Sequence, residues 1–179
     1  MKAIVYDESG PADVLRLTER PVPVPGPGEV RIRVVVSAVN PTDWKTRSGG
    51  FGAAPGTEAV PNQDGAGVID AVGEGVGGGD GGGSAGGVGG LAVGDRVWVT
   101  LAAYQRPDSG TAQEYTIVPA ERVFVLPDGA GFDLGAAVGI PAATAHRALT
   151  VAEDGPARLG PGALAGRVVL VAGGAGGAG

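Results

Sequence analysis

Val168-Val169-Leu170-Val171-Ala172 runs without a break into Gly173-Gly174-Ala175-Gly176-Gly177-Ala178-Gly179. Five consecutive apolar residues predict a strand buried on both faces, as at the centre of a parallel sheet covered by helices. Gly173, Gly176 and Gly179 then fall in a Gly-x-x-Gly-x-x-Gly spacing. In dinucleotide-binding folds such glycines allow a tight turn and a close approach of backbone to pyrophosphate, and the amides of a following helix complete the site. That helix lies outside this sequence, as does the later residue that chooses between NAD and NADP. Taken alone, the run also reads as a glycine-rich tail in a glycine-rich protein.

Upstream of this run the alternation changes. Phe132–Ile140 and Pro141–Ala152 are alanine-rich and predict two helices. Before Pro127 the chain reads as short strands divided by turn residues, an all-β unit. Lys2–Tyr6, Val14–Glu19, Gly65–Val72, Arg96–Thr100, Ala112–Val118 and Arg122–Leu126 are the strand candidates. The clearest is Glu29–Val39, where Val30, Ile32 and Val34 alternate with Arg31 and Arg33. Pro21–Gly28 places proline at every second position, which suits an extended connector rather than a ladder strand. Pro41–Ser48 fits a short helix opened by proline. Residues 73–90 hold twelve glycines in eighteen positions, which predicts a disordered insert. A phosphate loop would require a helix after it, and only Leu91-Ala92-Val93-Gly94-Asp95 follows.

Composition narrows the function. The 179 residues include 36 glycines and no cysteine, with a net charge of −6. No basic run could replace the counterions of a nucleic acid, and no apolar stretch reaches the roughly 18–20 residues of a membrane span. The absence of cysteine removes disulfides and thiolate chemistry and fits a cytoplasmic protein.

Several ordered blocks carry a family likeness. They are Gly28-Glu29-Val30, Asn40-Pro41-Thr42-Asp43-Trp44-Lys45, Asp64-Gly65-Ala66-Gly67-Val68-Ile69, Val93-Gly94-Asp95-Arg96-Val97, and Gly110-Thr111-Ala112-Gln113-Glu114-Tyr115. The most specific is Gly139-Ile140-Pro141 followed by Thr144-Ala145-His146-Arg147-Ala148-Leu149. With the opening Met1-Lys2-Ala3-Ile4, these resemble, nearly end to end, the zinc-independent quinone oxidoreductase (zeta-crystallin-like) branch of the medium-chain dehydrogenase/reductase superfamily.

The resemblance implies a mixed β and α/β fold. A GroES-like β-barrel catalytic domain would span residues 1–127, and the beginning of a Rossmann-type dinucleotide-binding domain would span 128–179 and be incomplete. It further implies NADPH, with NAD as the alternative, hydride transfer to a small-molecule quinone or activated enone, and a homodimer for the complete protein. Zinc-dependent relatives carry Cys where this chain has Asn40 and His near Gln63, so no metal site is expected.

The same resemblance places Asn40 in the nicotinamide and substrate cleft, while its residue type equally suits a cap on the helix opened by Pro41. It brings Thr144 to the nicotinamide; the alternative is a helical threonine bonded to its own backbone. Gly173, Gly176, Gly177, Ala178 and Gly179 would line the pyrophosphate turn. Trp44 and Phe51 read either as substrate-pocket walls or as core. Asp43 suits the first helical turn. His146 stands where relatives carry Tyr and reads as structural, so no proton donor is assigned. Two rival readings stand beside quinone reduction: an enoyl reductase for thioester or polyketide substrates, and an inactive fragment or binding protein.

Overall fold

The computed structural model describes residues 1–51, 56–77, 90–151, 155–174 and 176. Among them are seven strands and two α-helices. The strands are β1 (Lys2–Val5), β2 (Arg16–Glu19), β3 (Glu29–Ala38), β4 (Asp64–Val72), β5 (Arg96–Val99), β6 (Tyr115–Pro119) and β7 (Val123–Val125). The helices are α1 (Pro41–Arg47) and α2 (Phe132–Thr150). The strand candidates read from the sequence correspond to these elements, with ends shifted by a few residues. Val14 falls instead in a 3-10 turn over Ala12–Val14, and Ala112–Glu114 precede β6.

Every strand pairing is antiparallel. β1 pairs with β2, and the larger sheet runs in the order β6-β3-β4-β5-β7. Ala3 bridges to Gln113 and Tyr6 to Ala59, which ties the small sheet to the large one. The alternation in β3 decides its two faces: Val30 and Ile32 are fully buried, whereas Arg33 is exposed. They join Ile69, Val97, Val99, Val118 and Val123 in one core of mostly β-branched side chains. Such residues suit a pleated, half-buried surface, and they build this core with few aromatic rings. Arg31, on the opposite face, donates through Nε to Asp70 Oδ2 at 2.7 Å and through a guanidinium nitrogen to the Pro23 carbonyl at 2.8 Å. The proline connector is thereby fixed along the sheet.

The glycine-rich insert expected over 73–90 lies largely outside the described residues. Its described start is ordered rather than loose. The Gly73 N–H donates to the Glu29 carbonyl at 2.8 Å, and the Gly28 N–H donates to the Glu74 carbonyl at 2.8 Å. Glycine is needed here because a Cβ on Gly73 would lie 1.8 Å from the Gly26 carbonyl oxygen.

Two further expectations are corrected. The two alanine-rich helices are one, continuous from Phe132 to Thr150 with Pro141 inside it. Proline removes one donor from the ladder, and contacts with the sheet hold the helix through that gap. Ala152, the expected helix end, lies outside the described residues. α2 packs against β4 and β5 through the small residues Gly135, Ala136 and Gly139. Second, Val168–Ala172 forms no strand. Val168 is 100% and Leu170 94% exposed. A parallel strand exists only when neighbours take up its backbone groups, and among the described residues none pairs with this segment. Among the described residues no helix is long and apolar enough to cross a membrane.

Candidate active site

The site begins where β3 ends. Asn40 has extended backbone angles and starts α1, with Pro41 in the first helical position. Three residues on, the Asp43 carboxylate turns back and accepts the Asn40 N–H at 2.6 Å. This satisfies a donor that a helix start otherwise leaves open. The other Asp43 oxygen accepts the Gln63 N–H at 3.1 Å. Burial, reinforced by the nearby Asp64 carboxylate and opposed by the Asn40 N–H, pushes Asp43 up to about 6. Asp43 thus holds the entry of α1 against the segment leading into β4.

Asp64 opens β4 and is completely buried. Its carboxylate accepts three hydrogen bonds from three different parts of the chain. Thr100 Oγ1 donates to Oδ1 at 2.7 Å, while Asn40 Nδ2 at 2.9 Å and the Ile140 N–H at 2.7 Å both donate to Oδ2. Thr111 Oγ1 also donates to the Asp64 carbonyl at 2.6 Å. Among the described residues Asp64 forms no ion pair, so its compensation comes from neutral N–H and O–H donors.

A cleft of about 910 Å³ lies between α1 and α2. Asn40, Pro41 and Thr42 form one wall, and Ile140, Pro141, Thr144 and Leu149 of α2 form a second. The segment Val169–Gly173, with Gly176, forms a third. Asn40, Thr144, Gly173 and Gly176 are therefore brought to one cleft. Gly173 has a φ of +71°, and the Gly176 N–H donates to its carbonyl at 2.8 Å, a tight glycine turn at the cleft's edge. Gly177, Ala178 and Gly179 lie outside the described residues.

Thr144 forms no hydrogen bond back to its helix among the described residues, unlike Thr46 and Thr150, which bond to the carbonyls four residues earlier. Thr144 is exposed and lines the cleft. Trp44 and Phe51 are not brought to this site. Both are exposed and neither lines the cleft; Trp44 instead lies under the Lys45 ammonium. His146 is exposed on α2 and does not line the cleft either.

Two residues of the site escaped the sequence reading. Thr42 lines the cleft, and its buried hydroxyl has no hydrogen-bond partner. Asp64 had one usable signal, an acidic residue at the head of an otherwise apolar strand. Among the described residues no three His, Cys, Asp or Glu side chains gather as a metal site would require.

An antiparallel β domain whose last helix walls a cleft, followed by a glycine turn, matches the N-terminal part of a Rossmann-containing fold. Residues 26–128 match the alcohol dehydrogenase GroES-like domain, and the chain belongs to that family. Its relatives lie on the quinone oxidoreductase branch of the medium-chain dehydrogenase/reductase superfamily. A quinone oxidoreductase of Lama guanicoe is 36% identical over 180 residues, covering 100% of this chain and 47% of the relative. A 2-methylene-furan-3-one reductase of Solanum lycopersicum is 36% identical over 184 residues, covering 100% of this chain and 42% of the relative. Among solved structures, a mycobacterial protein complexed with NADPH matches with a TM-score of 0.66 at 28% identity, over 86% of this chain and 41% of that one. The chain spans about half the length of the curated relatives it matches.

Proposed function

We propose that the complete protein is an NADPH-dependent oxidoreductase that delivers hydride to a quinone or activated enone without zinc. The observation that carries this reading is the convergence of Asn40, Thr42, Thr144, Gly173 and Gly176 on one cleft. We divide the chain near residue 127, with the β domain supplying Asn40 and Thr42 and the later segment supplying Thr144 and the glycine turn.

The residues present fit a nicotinamide dinucleotide. The cleft offers apolar walls with a few polar groups, as small-molecule sites do. Thr42 has a buried hydroxyl left unpaired, and Thr144 lines the cleft with a hydroxyl that bonds to no other group among the described residues. At the edge, a Cβ on Gly176 would press within 3.2 Å of the Gly173 carbonyl, so small residues leave backbone open where phosphates would approach. When bound, the cofactor supplies the hydride. The protein's own part is to orient and polarise. The second hydrogen of the Asn40 NH2, beside the one given to Asp64, would donate to the acceptor's carbonyl, where negative charge develops, while Thr42 lines the same wall and Thr144 orients the nicotinamide.

The names of the relatives support reduction and divide over the acceptor, since quinone oxidoreductases stand beside enone and alkenal reductases. Reduction of a quinone ring and reduction of an enone's conjugated carbon–carbon double bond are therefore the two acceptor chemistries to separate. The deciding experiment titrates NADPH and NADH into the full-length protein by fluorescence, then measures turnover with a quinone and with an α,β-unsaturated ketone. Saturable NADPH binding with turnover of either acceptor is expected. Absence of binding would remove the oxidoreductase reading.

A further inference from the structure

We propose that Asp64 is the positioning residue of the cleft, anchoring both of its walls through a single carboxylate oxygen. The inference rests on the cleft being the reductase site described above. Oδ2 accepts the side-chain amide of Asn40, from the α1 wall, and the backbone N–H of Ile140, from the α2 wall. Oδ1 is held by Thr100 at the end of β5. The carboxylate is thus fixed from a third direction and cannot rotate to favour either wall.

The chemistry of the partners makes the arrangement directional. A carboxylate only accepts hydrogen bonds, so Asn40 must present its NH2 group to Asp64, and its carbonyl end is turned away. A free asparagine side chain would sample both flips. The bond from Ile140 is unusual in its source, because a helix-interior N–H ordinarily serves the helix ladder. It lies next to Pro141, which has no N–H to give, and one residue after Gly139. A Cβ on Gly139 would meet Asp64 Oδ1 at 2.5 Å and Cγ at 2.6 Å. Gly139 and Pro141 thus flank the one backbone donor that the buried carboxylate takes up, and Thr144 lies one helical turn further along. None of the three donors carries a charge, so each bond gains strength from the carboxylate's own charge.

The test is Asp64→Asn, alone and combined with Asn40→Ala. The substitution preserves shape, and its amide oxygen can replace Oδ2 while its NH2 donates to the Thr100 hydroxyl. The fold is therefore retained while the two wall contacts lose their charge assistance. Turnover is expected to fall on the order of tenfold, with the KM for cofactor little changed. In the Asn40→Ala background the same Asp64→Asn change should cost clearly less, because only the Ile140 contact is left for it to weaken. An equal loss in both backgrounds, or turnover unaffected by Asp64→Asn, would overturn the proposal.

A second readout does not depend on activity. In NMR spectra the Ile140 amide proton should lie downfield and move upfield in Asp64→Asn. A resonance that stays in place would refute the tether. If the parent protein reduces neither quinones nor enones while the Ile140 resonance moves, the tether stands and the reductase reading fails.

Discussion

Gly139 of α2 lies directly against the Asp64 carboxylate of β4, with room for no more than a hydrogen where another residue would carry its Cβ. This contact sets how closely α2 approaches the sheet. It also brings the Ile140 N–H within 2.7 Å of Asp64 Oδ2.

The first prediction concerns that contact. In an ordinary helix interior, Gly→Ala stabilises by about 1 kcal/mol. At Gly139 the sign should reverse. The new methyl would meet a carboxylate held by three hydrogen bonds, and overpacking of this kind costs about 1–3 kcal/mol. Thermal unfolding of Gly139→Ala should therefore show a lowered Tm, and an unchanged or raised Tm would contradict the packing described.

The pH dependence of stability should carry the signature of Asp43. Its pKa in the folded protein, about 6, is above the ordinary value of 3.8. A raised folded pKa means that the folded state holds the proton more tightly. The stabilisation is complete below about pH 4 and is lost as the pH rises through 6. At its limit it is on the order of 3 kcal/mol. Asp43→Asn lacks this contribution, so the stability difference between parent and variant should shift in the parent's favour from pH 7 to pH 4. Denaturant unfolding at several pH values measures it, and a difference constant with pH would exclude the assignment.

In the β core, Ile32 is fully buried among Val30, Ile69 and Val118. Ile32→Ala leaves a cavity in a close-packed interior and should cost about 2–5 kcal/mol. Exposed Val35 on the same strand provides the control: Val35→Ala should change stability by about 0.5 kcal/mol or less. Equilibrium urea unfolding separates the two.

The sequence made the β domain readable because its signals are local. The alternation of Val30 and Ile32 with Arg31 and Arg33 identifies a strand without reference to any other part of the chain. So does the Asn40-Pro41 start of α1, where proline and a capping residue stand side by side. α2 was harder. Pro141 marks a break by the usual rule, and only packing of Gly135, Ala136 and Gly139 against β4 and β5 carries the helix across it. Val168–Ala172 misled for the opposite reason, since a parallel strand depends wholly on neighbours. Asp64 was hidden because its donors, at Asn40, Thr100 and Ile140, are 24, 36 and 76 positions away. Thr42 was passed over as one residue of a family block, and nothing local shows that its hydroxyl is buried beside the cleft without a partner.

Thr144 gives the last prediction, because structure and function separate there. Thr144 lines the cleft and its hydroxyl holds no bond to its own helix, so Thr144→Val removes one oxygen and breaks no internal hydrogen bond. Stability should change by about 0.5 kcal/mol or less, as at other exposed positions. If the hydroxyl contacts the nicotinamide, its loss should cost about 1 kcal/mol of binding, the net worth of a typical hydrogen bond. That corresponds to roughly a fivefold rise in the Kd for NADPH. Thr144→Ser should restore most of it by returning the oxygen. Calorimetric titration of the three proteins, with Tm measured in parallel, checks both halves. Weakened binding with an unchanged Tm supports a cofactor contact, whereas a lowered Tm with unchanged binding would mark Thr144 as part of the scaffold alone.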